Sequence, residues 1–286
     1  METFQYKFTR RPSFLTGCFH WKKHGYTYAS NPEVDLLQPS ALQHDDPWYR
    51  LASVLEHAKN GDASHLRVLE PFVRDESVDP TLLGGALDLI ADAGGRLELE
   101  ILADLMLDGT GYLKLQAVES ARWAGVLWLI PYMIDVFEHC PHRTDREGVE
   151  EVISSLLEPR TRELEFFATG ESPRQYAERV SDRVAQLVDE AGSDEIAVFA
   201  GEPIDMRALI WRMHRDLREE PEDRWASFLL LRHKLEAYTG VDCTQFYRDG
   251  VFRPLSARVA LEEYMKANPE LRFEVGRRYF FGWRVG

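Results

Sequence analysis

The sequence predicts an all-α fold: a short α-solenoid of antiparallel helix pairs, with small irregular, β-containing aromatic segments at both ends. Three observations carry this reading. Two stretches match at a fixed offset of 31 residues: Gly85-Ala86-Leu87-Asp88 answers to Gln116-Ala117-Val118-Glu119, Ala93-Gly94 to Ala124-Gly125, and Asp104 to Asp135. That period is the length of a helix-pair repeat, whose units stack to bury a shared core. Between the echoes, apolar residues recur at helical spacing with very short connections, so neighbouring helices must run antiparallel. Small residues (Ala86, Ala93, Ala117, Ala121 and Ala124) fall where helices approach closely, and the sustained heptads of a coiled coil are absent.

Residues 1–45 read as an aromatic arm packed on the helices. Phe4, Tyr6 and Phe8 alternate with Gln5 and Lys7 at strand period, and Phe14, Phe19, Trp21, Tyr26 and Tyr28 follow. Residues 46–160 carry the repeats. Asp46-Pro47 starts a helix with a capping carboxylate and a proline in the first turn, and Asn60-Gly61 ends it. Asp62 can cap the next helix, with Leu66, Leu69, Phe72 and Val73 inward. Asp79-Pro80 repeats the start signal, and Gly94-Gly95 closes that helix. The segment from Arg96 to Asp108 turns Leu97, Ile101 and Leu105 inward and is closed by Gly109. Tyr112 to Ala124 and Val126 to Cys140 form the last clear pair.

Residues 161–286 continue as further helices and a capping segment, in one structural unit with the repeats. Helices are expected at Arg146–Leu157, Pro173–Glu190, Ile204–Glu219 and Arg224–Tyr238. Ile196 to Phe199 reads equally as a strand or a helical turn. Phe246-Tyr247 and Val251-Phe252 flank the tight turn Asp249-Gly250, and Ser256 can cap a helix to Ala267. The aromatic tail from Phe273 is too apolar to stay in solvent and is expected to pack back on the helices.

The net charge of −14 is unevenly spread: +4 over residues 1–30, −19 over 31–200 and +1 over 201–286. A central negative field repels nucleic acid and anionic lipid and speeds encounter with basic partners. Met1 to Gln5 lacks the basic start of a signal peptide, and the apolar run from Ala124 to Ile134 is broken by Pro131 and far short of a membrane span. Cys18, Cys140 and Cys243 are odd in number and widely spaced, which points to a reducing cytoplasm.

The 31-residue echo, with its Ala-rich first helix and an Asp in the second, resembles a HEAT-type repeat over about residues 46–158. The C-terminal strings Tyr238-Thr239-Gly240-Val241-Asp242, Phe246-Tyr247-Arg248-Asp249-Gly250 and Arg278-Tyr279-Phe280-Phe281-Gly282-Trp283-Arg284 resemble the tail of HEAT-like immunity proteins, which accompany bacterial polymorphic toxins. The resemblance implies a cytoplasmic inhibitor of a cognate toxin, with no catalytic residues to carry over.

Catalytic motifs are absent: no G-x-S-x-G elbow, no H-E-x-x-H and no phosphate loop. Two clusters offer metal-like donors, Cys18 with His20 and His24, and His139 with Cys140 and His142. Neither has the paired C-x-x-C spacing of a zinc site, so no metal or cofactor is expected. The arginines at 207, 212, 215 and 218 are interleaved with acids and read as intrahelical pairs rather than a nucleic-acid surface. The expected function is occlusion of a basic toxin, a nuclease as first guess, by an acidic helical face made of Glu98, Asp104, Asp108, Glu119, Glu147 and Glu150. Asp104 has a second reading, as a brace to the next repeat. The alternatives are a general scaffold and an enzyme with a site near His214, His233 and Asp242.

Overall fold

A computed structural model describes residues 21, 35–158, 170–217, 225–248, 251–270 and 272–286. The expected strand at residues 4–8 lies outside them. The described chain is mostly helical and divides into two units. The first comprises Met1–His65, Asp205–Glu274 and Tyr279–Arg284; the second comprises Leu66–Ile204, Val275–Arg278 and Val285–Gly286. The first unit thus draws on all three of the sequence segments delimited above.

In the first unit, α1 spans Pro47–Lys59, and the carboxylate of Asp46 accepts the Trp48 amide at 2.8 Å. Its C-terminus is a Schellman turn, in which Asp62 N donates to the His57 carbonyl and Gly61 N to that of Ala58, both at 3.0 Å. Gly61 sits at φ +85°, and a Cβ there would lie 2.7 Å from the Trp283 ring. Gly61→Ala is therefore expected to lower stability by at least about 1–2 kcal/mol, the cost of a left-handed alanine alone. A shift in the urea midpoint checks it.

The rest of that unit contains α9 (Met206–Asp216), α10 (Trp225–Thr239), α11 (Pro254–Ala267) and two short hairpins. The hairpins pair β3 (Tyr247–Arg248) with β4 (Val251–Phe252), and β5 (Tyr279–Phe280) with β6 (Trp283–Arg284). Helix α10 ends at Gly240, which is left-handed, with Phe281 over it. The aromatic tail packs back: Phe281 N donates to the Ala237 carbonyl at 2.7 Å, and the Trp283 indole N–H to that of Lys59 at 3.1 Å.

The echo is realised in the second unit with its phase intact. Helix α3 (Pro80–Ala93) and α5 (Gly111–Ala124) have bounds 31 residues apart. Helix α4 (Arg96–Asp108) corresponds to a 3-10 turn at Leu127–Leu129 followed by α6 (Ile130–His139). Proline explains the split, because Pro131 occupies the first turn of α6, where its missing N–H costs nothing. The helix expected after Asp62 splits in the same way, into a 3-10 turn at Leu66–Leu69 and the short α2 (Glu70–Val73) around Pro71. The unit continues with α7 (Arg143–Leu157), α8 (Pro173–Ala191) and the strand pair β1 (Val198–Phe199) and β2 (Glu202–Pro203).

Packing follows the repeat. Helix α3 packs on α5 and α5 on α7; α4 packs on α6 and α6 on α8. The small residues Ala86, Ala93, Ala117, Ala121 and Ala124 are all fully buried. Helix α3 is apolar nearly all round, the pattern of a central helix, and is buried from Leu82 to Ala93 apart from Gly84. Its buried Asp88 accepts the Ser120 hydroxyl of α5 at 2.7 Å. The segment around β1 knits the unit together: Trp128 N donates to the Asp194 carbonyl at 3.1 Å, Val198 N to that of Gly125 at 2.8 Å, and Ala197 N to that of Gly276 at 2.9 Å. Strand, not helical turn, is thus the outcome at Val198–Phe199.

Candidate binding surface

The six acids expected to form one face take up different roles. Asp108 is exposed at the last position of α4, as expected. Asp104 is exposed too, but its Oδ2 accepts from Arg74 Nη2 at 3.0 Å. It therefore braces the segment before it, not the following repeat. Its echo partner Asp135 instead faces His139 of its own helix at 3.3 Å, because the position 31 residues beyond Arg74 is Leu105. Glu98 folds back as the N3 residue of a capping box, its carboxylate accepting the Gly95 amide at 2.9 Å. Its charge serves the helix start, where the dipole favours it.

On the other helices, Glu147 is exposed and paired with Arg143 at 2.8 Å. Half of the Glu119 side chain is exposed, yet its carboxyl is crowded enough that loss of solvation raises its pKa; Arg122 at 3.1 Å opposes the rise and Glu151 adds to it. Glu150 is a correction: it is buried, 9% exposed, because α7 packs against both α5 and α6 and its buried stripe is broad enough to include it. Leu97 is another. It is 59% exposed, and the buried stripe of α4 runs through Leu99, Ile101, Leu102, Leu105 and Met106.

What remains is a patch on α4 and α6. Helix α4 carries four acids against one arginine, and α6 carries two acids and no lysine or arginine. Glu100, Asp108 and Glu138 are exposed and pair with no cation among the described residues. Two of these sit in the last turn of their helices, where the dipole disfavours a carboxylate by about 0.3–1 kcal/mol. Real proteins break such local rules at functional or strained sites, which makes these carboxylates candidates for a binding surface. Beside it, Leu97 and, at 47% and 43%, Leu107 and Tyr112 are exposed. By contrast α8 balances four acids with three arginines, including Arg174 on Glu178 at 3.2 Å. Glu100 and Glu138 were missed in the sequence; the readable signal is that each falls between core positions of a second repeat helix.

The residues named for an enzyme each have neighbours of their own. His214 Nε2 lies 3.1 Å from Glu262, whose carboxyl is held low by Arg258 and then by His214. His233 is buried against the edge of the Trp21 ring, and Asp242 accepts the Thr244 amide at 3.0 Å. Burial pushes the thiols of Cys140 and Cys243 up, which disfavours a nucleophilic thiolate.

The metal-like cluster at His139, Cys140 and His142 is not drawn together: His139 turns to Asp135, Cys140 is buried, and His142 is exposed. Cys18, His20 and His24 lie outside the described residues. Among the described residues the donor atoms that do converge belong to His57, Asp62 and His65. Asp62 Oδ2 lies 3.7 Å from His57 Nδ1 and 3.3 Å from His65 Nε2. The hydrogen bond from Ser64, then the two imidazoles, hold the Asp62 carboxyl below its ordinary range. No described helix is long and apolar enough to cross a membrane.

Compared with known proteins, the sequence matches no protein family and no curated protein.

Proposed function

We propose that the chain is a binding protein that neutralises a basic toxin, as an immunity protein does, through the acidic surface of α4 and α6. The observation that carries this reading is the set of exposed carboxylates Glu100, Asp108 and Glu138, unpaired among the described residues, together with the exposed Leu107 and Tyr112. Acids on the rim raise the rate of encounter with a positive partner, and apolar and aromatic anchors supply the holding contacts. In this reading the pairs α3–α4 and α5–α6, continued by α7 and α8, form a short HEAT-like solenoid of antiparallel pairs. Such a stack offers an extended surface rather than a pocket.

The mechanism is steric occlusion of the toxin's active or substrate-binding surface inside the cytoplasm. A nuclease suits the charge, since an enzyme that grips phosphates carries a basic cleft that an acidic surface can fill in their place. Co-expression with the product of the neighbouring gene, followed by pull-down on a tag carried by this chain, tests the reading. Retention of a basic toxin domain supports it, and a clean wash-through argues for the scaffold alternative.

A further inference from the structure

We propose that His57, Asp62 and His65 bind a divalent transition cation, zinc in the first instance, with water completing the coordination. The donor set is two imidazoles and a carboxylate, which suits zinc. Zinc bonds of about 2.0–2.1 Å in a tetrahedron put neighbouring donor atoms about 3.3–3.4 Å apart. Asp62 Oδ2 lies 3.3 Å from His65 Nε2 and 3.7 Å from His57 Nδ1, and all three donor atoms fall within 4.8 Å of one another. The 3.7 Å contact is an ion pair longer than a hydrogen bond, so no hydrogen bond commits Asp62 Oδ2 to His57 Nδ1.

Local structure builds this convergence. His57 stands on the last turns of α1, and the Schellman turn at Asn60-Gly61 folds the chain back so that the Asp62 amide bonds the carbonyl of His57 itself. Asp62 Oδ1 is then occupied by the Ser64 amide at 3.1 Å and the Ser64 hydroxyl at 2.6 Å. Those bonds orient the carboxylate as an outer shell orients a metal ligand, and leave Oδ2 toward both rings. The chain makes the same turn at Asp75, which Ser77 holds with equivalent bonds at 2.9 and 2.6 Å, but no imidazole among the described residues joins it there. What distinguishes Asp62 is the pair of histidines, whose rings meet at 64° with centroids 4.5 Å apart. An edge-on pair of rings can aim two nitrogens at one point, which a stacked pair cannot.

Asp62 is 47% exposed and His65 33%, so solvent reaches the open side of the site. A bound ion would clamp the end of α1 to the start of the following turn. The three residues lie within nine positions of one another and belong to the first unit. This inference does not depend on the toxin reading, because its residues belong to the first unit and the acids of α4 and α6 to the second.

The experiment titrates zinc chloride into the full chain, stripped with EDTA and dialysed, by calorimetry and by thermal melting. The expected result is one saturable equivalent and a melting temperature that rises with zinc, as binding to the folded state requires. Asp62→Asn, which keeps the Oδ1 acceptor, and His65→Gln should each weaken binding at least tenfold and remove the thermal shift. Should Asp62→Asn melt early without metal, His65→Gln carries the comparison. Absence of saturable binding overturns the proposal. So does binding that both variants keep and a Cys18→Ser variant loses, since that places the metal elsewhere.

Discussion

Arg278→Ala is expected to cost about 3 kcal/mol of stability, with a corresponding drop in the urea midpoint. Arg278 is 7% exposed, and its guanidinium sits on the open end of α3. Nη1 donates to the Gly94 carbonyl at 2.6 Å, and Nη2 to the carbonyls of Asp92, at 3.2 Å, and Ala91. The last carbonyls of a helix have no partner within it, and the negative end of the dipole favours a cation there. Alanine would leave several of these acceptors buried without a donor, which is the expensive way to lose a hydrogen bond. Arg278→Lys should fall between the two, because a single ammonium does not reproduce the planar fork. An alanine variant within 1 kcal/mol of the native chain would mean that the tail does not hold α3.

The double reversal Asp108→Lys with Glu138→Lys is expected to slow association with a basic partner by on the order of tenfold at low salt, and to flatten its salt dependence. Both acids are exposed, in the last turns of α4 and α6, and the repeat phase places those two helix ends at equivalent positions. Lysine there agrees with the helix dipole, so the variant should be no less stable than the native chain. A slower rate in a chain of unchanged melting temperature then reports on docking rather than folding. The sequence-based choice of Glu98 for this test would confound the two, since Glu98 closes the capping box at Gly95. An unchanged rate constant would move the partner away from α4 and α6.

Local signals were readable in the sequence wherever the physics is local. Asp46-Pro47 and Asp79-Pro80 start helices with the expected carboxylate caps, and the 31-residue echo sets the bounds of α3 and α5. The inward set of α4 was right at two of its three positions: Ile101 and Leu105 are buried, but Leu97, on the same spacing, lies in the first turn and faces out. Periodicity finds the stripe and not the extent of the neighbour that covers it. Glu150 shows the converse, a carboxylate beside a core stripe that a second neighbour encloses. Arg278 had no signal, because its acceptors are 184 to 187 residues away. The His57, Asp62 and His65 cluster was present as a helix stop at Asn60-Gly61; only the fold-back of Asp62 onto His57 turns that stop into a convergence of ligands.

The acidic surface of α4 and α6 is proposed to hold a basic partner. The most direct measurement is co-purification of the tagged chain with the neighbouring gene product, repeated with the Asp108→Lys, Glu138→Lys variant. The expected result is a complex that the native chain retains at low salt, that added salt weakens, and that the variant retains poorly. Retention that is equal for the two chains and indifferent to salt would contradict the account, as would no complex at all.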